Sequence, residues 1–200
     1  LVVSGYWLVH MAPAISGADF SVLAAAAFVA VGYTFPPLKL VYRGLGELNV
    51  GVTHSFAVIV CGYVLQTGSW SDPYSWLIGV PLFFATLAAI TLSAIPDYEA
   101  DRGVGKRTIA VLLGPRRAAR VAQGFALAAA VTGVSWQRYG LYPGAAGYAV
   151  YLALPHAAWL TAAISRYVAQ GAPCRRINSI MVRALTYLVW FGAVPLAGLL

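Results

Sequence analysis

The chain has 200 residues, of which 60% are hydrophobic and only 10% are charged, with a formal net charge of +7. Soluble domains are usually about one quarter charged, so this composition excludes an ordinary soluble domain. It predicts a single membrane-embedded, all-α domain over residues 1–200. The positive charge does not indicate nucleic acid as a partner, because the cations are confined to short loops beside apolar segments.

Stretches without Lys, Arg, Asp or Glu predict the membrane spans, because a helix needs about 20 apolar residues to cross the hydrocarbon core. One partial span is followed by six complete ones, at residues 1–13, 20–35, 48–65, 74–96, 121–137, 144–165 and 184–200. The prediction is therefore a polytopic bundle with about seven visible helices. Because the chain opens in apolar sequence without Met, we expect that an N-terminal part precedes it.

The cations predict the orientation of this bundle. Twelve of the thirteen lie in three alternate loops, which contain Lys39 and Arg43; Arg102, Lys106, Arg107, Arg116, Arg117 and Arg120; and Arg166, Arg175, Arg176 and Arg183. By the positive-inside rule these three loops face the cytoplasm. The protein is thus predicted to be a multi-pass membrane protein with its basic loops on the cytoplasmic side.

The first basic loop joins the first two complete spans and covers residues 33–47. Pro36 and Pro37 end one helix, and a Gly-Leu-Gly turn precedes the next. Between them the loop brings Tyr33, Lys39 and Arg43 to the same membrane face. These side chains are candidates for binding an anionic substrate.

The second basic loop begins with three of the chain's six acidic residues, Asp97, Glu99 and Asp101. Carboxylates beside hydrocarbon are costly unless they are compensated, so their presence indicates a functional site. If the preceding helix runs on through the loop, Asp97 and Asp101 lie one turn apart on one face and Glu99 points away. Two carboxylates without Cys or His suit Mg²⁺, which normally takes one or two protein carboxylates together with water and phosphate oxygens.

Arg102, Lys106 and Arg107 follow the acidic residues directly. A diphosphate substrate requires carboxylates that bind a metal ion and, alternating with them, cationic side chains that bind the phosphate oxygens. The local pattern is equally compatible with a solvated loop whose charges pair with one another.

Two motifs together resemble one known family. Residues 33–47 read Y-T-F-P-P-L-K-L-V-Y-R-G-L-G-E, and residues 97–108 read D-x-x-x-D-R-x-x-G-K-R-T. In this order and separation they resemble the UbiA superfamily of intramembrane prenyltransferases, nearest to the branch that prenylates dihydroxynaphthoate, homogentisate and chlorophyllide-like acceptors.

The resemblance implies a nine-helix fold around a cavity that opens to the cytoplasmic side and to the lipid. It also implies that Asp97 and Asp101 are the second aspartate-rich motif, which holds Mg²⁺ bridged to a prenyl diphosphate, with Lys39 as a third catalytic residue. The resemblance implies that Tyr33, Lys106 and Arg107 bind the substrate. Arg43 and Arg102, which the two loops bring to the same membrane face, complete the predicted substrate-binding set.

The reaction that the resemblance implies is transfer of an isoprenyl group to an aromatic acceptor in quinone biosynthesis, by ionisation of the diphosphate and electrophilic alkylation. The family's first aspartate-rich motif has no counterpart, because Asp19 is the only acid before residue 36 and is predicted on the external side. We therefore expect that two helices precede the chain and that this fragment alone is inactive.

The residues leave two alternative functions open. A transporter would explain helices and an acidic pair, although transport sites usually lie near the bilayer midplane between discontinuous helices. The other alternative is a non-catalytic membrane subunit.

Overall fold

The computed structural model describes residues 17–142, 144–173 and 177–197. Within these ranges the chain is helical, with turns and loops between the helices and no β-strand. The predicted partial span at residues 1–13 lies outside the described residues, as do Arg175 and Arg176 of the third basic loop.

The described residues form eight α-helices. In chain order they are α1 (Gly17–Val31), α2 (Gly46–Thr67), α3 (Pro73–Ser93), α4 (Tyr98–Gly103), α5 (Ile109–Leu113), α6 (Pro115–Arg138), α7 (Ala153–Ala169) and α8 (Asn178–Ala197). Two 3₁₀ segments, Leu40–Arg43 and Ala145–Leu152, precede α2 and α7. The all-α prediction is confirmed, and each of the six complete predicted spans overlaps one long helix.

Helices α2 and α3 are both long and apolar enough to cross a membrane. Helix α2 contains one π-helical turn at Thr53–Ala57, where the Thr53 hydroxyl donates to the carbonyl of Asn49 at 2.8 Å. Helix α3 begins at a side-chain cap, because the Asp72 carboxylate accepts the N–H of Tyr74 at 2.9 Å and Pro73 occupies the first helical position. The cap fixes where this helix enters the bundle.

The condition on which the pairing of Asp97 with Asp101 was argued, that the helix continues through the acidic residues, is not met. The helix ends at Ser93, and the separate helix α4 begins at Tyr98 with Asp97 at its N-cap position. The cause is Pro96, which has no amide hydrogen and disfavours the helical conformation of the residue before it. Asp97 and Asp101 nevertheless remain one helical turn apart, because the N–H of Asp101 donates to the carbonyl of Asp97 at 2.7 Å.

Small residues let the core helices pack closely. Helix α6 turns one face inward through fully buried alanines, at Ala118, Ala122, Ala126 and Ala129. Such faces bring helix backbones near one another where the surrounding solvent is hydrocarbon. The Tyr187 hydroxyl of α8 donates to the carbonyl of Ala126 at 2.9 Å, so this packing also joins α6 to α8.

Gly133 offers a direct test of this packing. A Cβ atom there would lie 2.5 Å from Cε1 of Phe191, whose ring is only 1% exposed and has no room to move. We expect Gly133→Ala to lower the free energy of unfolding by about 1–3 kcal/mol. Gly124→Ala on the same helix is the matched control, because nothing lies within 4 Å of its Cβ position and alanine favours helix. Thermal unfolding in detergent measures both, and equal midpoints for the two variants would show that the packing is looser than described.

Candidate functional site

The predicted site residues Tyr33, Asp101 and Lys106 come together where the loop between α1 and α2 meets the segment between α4 and α5. Asp101 is 7% exposed, and its Oδ1 accepts a hydrogen bond from Nζ of Lys106 at 2.7 Å. Within the described residues this is the only ion pair. A buried carboxylate is therefore compensated by a cation five positions along the chain.

A tight turn after α4 brings Lys106 back over Asp101. The N–H of Lys106 donates to the carbonyl of Asp101 at 3.0 Å, and Gly105 adopts a φ of 76°, which a residue without Cβ reaches at no steric cost. The hydrogen bond to Asp101 raises the pKa of Lys106, and partial desolvation opposes this more weakly. The ammonium group is therefore charged throughout the neutral range, and its charge is lost as pH rises above the ordinary lysine range.

Tyr33 lies within electrostatic range of this pair. Burial raises the pKa of its hydroxyl; the charge of Lys106 acts in the opposite direction, and Glu47 and Asp101 raise the pKa further. Tyr33 is thus protonated at neutral pH and can donate a hydrogen bond at the site.

Glu47 connects the two loops, although it was not among the predicted site residues. Its side chain is 3% exposed, and Oε1 accepts the N–H of Ile109 at 2.6 Å across 62 positions of sequence. A second bond between the loops runs from the N–H of Arg107 to the carbonyl of Val41 at 2.9 Å. The available sequence signal was an isolated carboxylate at the start of an apolar helix, which by itself indicates a functional position.

Glu47 also contributes an unpaired oxygen. Its Oε2 is buried and has no hydrogen-bond partner among the residues that the structure describes. Asp101 is close enough that the two carboxylates interact electrostatically. The cluster thus holds two carboxylates and one ammonium group, which leaves room for additional positive charge.

The other predicted residues are exposed and lie on the same two loops and on α4. Asp97, Arg102 and Arg107 are exposed, and the Asp97 side chain caps no backbone group of α4. Lys39 is exposed in a left-handed conformation with a φ of 44°, and Arg43 donates to the carbonyl of Pro37 at 3.1 Å. The structure therefore divides the predicted set into a buried part and a solvent-facing part, and Asp97 and Asp101 fall in different parts.

The donor atoms at this end of the bundle fit a hard cation. Among residues 17–142, 144–173 and 177–197 no three His, Cys, Asp or Glu side chains are grouped to enclose a metal ion by themselves. Mg²⁺ needs no such enclosure, since one or two carboxylates suffice when water and phosphate oxygens complete its shell. Asp97 and Asp101 can supply the carboxylates, and the orphaned oxygen of Glu47 marks a nearby place where positive charge is favoured.

An apolar cavity of about 300 Å³ lies between α1 and α2. Its walls include Val29 of α1, Val52 and Phe56 of α2, and Trp76 near the far end. Val52 lies five residues after Glu47, which along a helix is roughly 7–8 Å. The cavity therefore lies along α2 beyond Glu47, and its lining residues are distinct from those of the polar cluster.

The fold is thus an apolar helical bundle with a charged cluster where its loops meet and an apolar cavity between α1 and α2. The chain belongs to the UbiA prenyltransferase family, whose model matches residues 1–197. This membership confirms the resemblance inferred from the two motifs. It places the chain in a membrane-embedded family and supports a role in prenyl transfer.

Curated relatives agree with this assignment. The chain is 28% identical over 178 residues to 1,4-dihydroxy-2-naphthoate octaprenyltransferase of Bacillus subtilis (strain 168), covering 86% of the chain and 54% of that protein. It is 32% identical over 96 residues to 2-carboxy-1,4-naphthoquinone phytyltransferase of Synechocystis sp., covering 46% of the chain and 30% of the relative. It is 38% identical over 97 residues to lycopene elongase/hydratase of Haloferax volcanii, covering 48% and 30%.

The chain thus spans about half the length of the Bacillus relative, and less of the other two. No solved structure matches it. The likeness to the dihydroxynaphthoate and phytyl enzymes is consistent with the branch that the motifs indicated.

Proposed function

We propose that the complete protein transfers an isoprenyl group from a prenyl diphosphate to an aromatic acceptor in quinone biosynthesis, at the cytoplasmic face of the membrane. The observation that carries the proposal is the pairing of buried Asp101 with Lys106 near Tyr33, in a bundle that also contains an apolar cavity. The family supports prenyl transfer in general. Two relatives, whose names include a naphthoate and a naphthoquinone, support an aromatic acceptor.

The cations of the two loops bind the diphosphate in this proposal. Lys106 approaches from the buried side, and Lys39, Arg43, Arg102 and Arg107 approach from the exposed rim. Guanidinium groups match phosphate oxygens with two parallel hydrogen bonds, and the Tyr33 hydroxyl adds a neutral donor. Together they hold the anionic head of the substrate at the charged cluster, while the isoprenoid tail lies in the apolar cavity.

Asp97 and Asp101 would hold Mg²⁺ against the diphosphate. Bound there, the ion would supply positive charge to the leaving group. Asp101 is held in place by its hydrogen bonds with Lys106, whereas the exposed Asp97 is free to adjust when the substrate arrives.

The reaction breaks the allylic C–O bond, and its electron pair leaves with the diphosphate. Lys39, Lys106 and Arg107 stabilise the charge that develops there, and groups fixed before the reaction are most effective at this. An aromatic carbon of the acceptor then attacks the allylic cation, a C–C bond forms, and the ring loses a proton. The apolar walls exclude water, which would otherwise capture the cation.

Glu47 acts in this scheme as a positioning residue. By accepting the N–H of Ile109, its carboxylate holds the segment that carries Lys106 and Arg107 against the first loop. The phosphate-binding cations of both loops are thereby kept close to the same site. Membership of a prenyltransferase family favours this enzyme over the transporter or the non-catalytic membrane subunit.

Turnover of radiolabelled prenyl diphosphate by the complete protein, with naphthoate-type acceptors, tests the proposal. We expect transfer that requires Mg²⁺ and that falls by about 100-fold or more in Asp97→Ala. Glu99→Ala is the matched control, because Glu99 is also an exposed acid, two positions from Asp97, and is predicted to point away. Transfer that is absent or metal-independent in the wild type, or that is unchanged in Asp97→Ala, would end the proposal.

A further inference from the structure

A polar groove lies outside the site described above. It has a volume of about 480 Å³ and runs between the first turns of α6 and the last turns of α7. Its lining consists of three arginines of α6 and three smaller residues of α7, namely Arg116, Arg117, Arg120, Ser165, Val168 and Ala169. Helix α5 separates these arginines from Lys106 and Arg107 along the chain.

The three arginines have no internal counter-charge. In the part of the chain that the structure describes, none of their side chains forms an ion pair or donates a hydrogen bond. Neither α6 nor α7 contains an acidic residue. Arg116 and Arg120 are four positions apart and so lie on one helix face, where like charges repel. They also lie at the helix end where the backbone dipole is positive. The groove is therefore a concentration of positive charge that an anion would stabilise.

The opposite wall is ordered by contacts between the helices. Nε2 of Gln123 on α6 donates to the Ser165 hydroxyl at 3.0 Å and to the carbonyl of Thr161 at 3.3 Å. Because the Ser165 oxygen accepts this bond, its own O–H is available to donate into the groove. Val168 and Ala169 add an apolar edge beside these donors.

We propose that this groove binds a phosphate group. Three guanidinium groups and a hydroxyl suit phosphate oxygens, which arginine recognises through paired hydrogen bonds. The phosphate can come from a phospholipid of the cytoplasmic leaflet, for which the apolar edge would contact the chain, or from a soluble phosphate. The site does not depend on prenyl transfer, because none of its residues belongs to the catalytic cluster.

The experiment measures lipid binding to the complete protein by native mass spectrometry, with phosphatidylglycerol, phosphatidylcholine and inorganic phosphate as probes. We expect phosphatidylglycerol to bind more tightly than phosphatidylcholine, and Arg116→Gln with Arg120→Gln to weaken it by about tenfold or more. The matched control is Arg138→Gln with Arg166→Gln, which removes the same charge from α6 and α7 outside the groove. We expect the control to change binding by less than about threefold.

A neutral variant separates a shaped site from diffuse attraction. Ser165 is exposed, so Ser165→Leu is tolerated by the fold, fills the groove and leaves every charge in place. We expect it to weaken binding about as much as the double arginine variant. Displacement of lipid by millimolar inorganic phosphate would identify the phosphate alone as the ligand, and lipid binding that resists phosphate would identify the phospholipid. Full binding by Ser165→Leu, or equal losses in the two double variants, would overturn the proposal.

Discussion

Asp101→Asn is expected to abolish prenyl transfer and also to destabilise the protein. The substitution removes the charge that pairs with Lys106 at 2.7 Å, at a residue that is only 7% exposed. Hydrogen bonds to charged groups contribute about 1.5–3 kcal/mol, so we expect a loss of that size in the free energy of unfolding. Activity should fall by about 100-fold or more, because the metal ligand and the fixed position of Lys106 are lost together.

Asp97→Asn is the comparison that separates these two effects. Asp97 is exposed, and its side chain caps no backbone group. We therefore expect the same loss of activity with an unfolding midpoint within about 1 °C of the wild type, since surface changes usually alter stability little. Thermal unfolding and turnover measured on the same preparations test both variants. Full activity in folded Asp101→Asn would show that this carboxylate serves the fold and not the reaction.

Glu47→Ala is expected to lower the free energy of unfolding by about 2–4 kcal/mol, because it creates a cavity and leaves the N–H of Ile109 without its acceptor. The segment that carries Lys106 and Arg107 would then lose its link to the first loop. We expect KM for the prenyl diphosphate to rise about tenfold, with a smaller change in kcat, because binding of the anionic head is affected first.

Glu47→Gln is the informative partner of this variant. A glutamine keeps an oxygen that can accept the N–H of Ile109, but it removes the charge. If Glu47 positions the loop, Glu47→Gln should retain the wild-type KM within about threefold and most of the stability. A Glu47→Gln enzyme that binds prenyl diphosphate as poorly as Glu47→Ala would instead indicate that the charge itself takes part.

The sequence was sufficient for the helices but not for their ends. Uninterrupted apolar runs determine where helices such as α2 and α3 lie, because a crossing requires about 20 such residues. The predicted span ended at Pro96, and the geometry of the acidic pair was argued on the condition that the helix continues past it; the structure instead ends α3 at Ser93 and starts α4 at Tyr98. Pro96 is the sequence signal against that continuation, because its ring and its missing amide hydrogen interrupt a helix.

The candidate site was predictable in composition and not in arrangement. Tyr33, Asp101 and Lys106 were identified from residue type and motif spacing, and the structure brings them together. Burial of Asp101 with exposure of Asp97 was not predictable, because it depends on how α4 sits on the bundle. The link from Glu47 to Ile109 spans 62 positions, and no local pattern encodes a hydrogen bond of that range.

The central claim is that the charged cluster around Asp101 and Lys106 holds a metal ion together with a diphosphate. The most direct measurement is anomalous diffraction from crystals of the complete protein soaked with Mn²⁺ and an unreactive thio-analogue of prenyl diphosphate. We expect an anomalous peak within coordination distance of the Asp97 and Asp101 carboxylates, at about 2.0–2.3 Å, with the diphosphate also contacting Lys106. A peak elsewhere, or a diphosphate bound without metal and away from Lys106, would contradict the account.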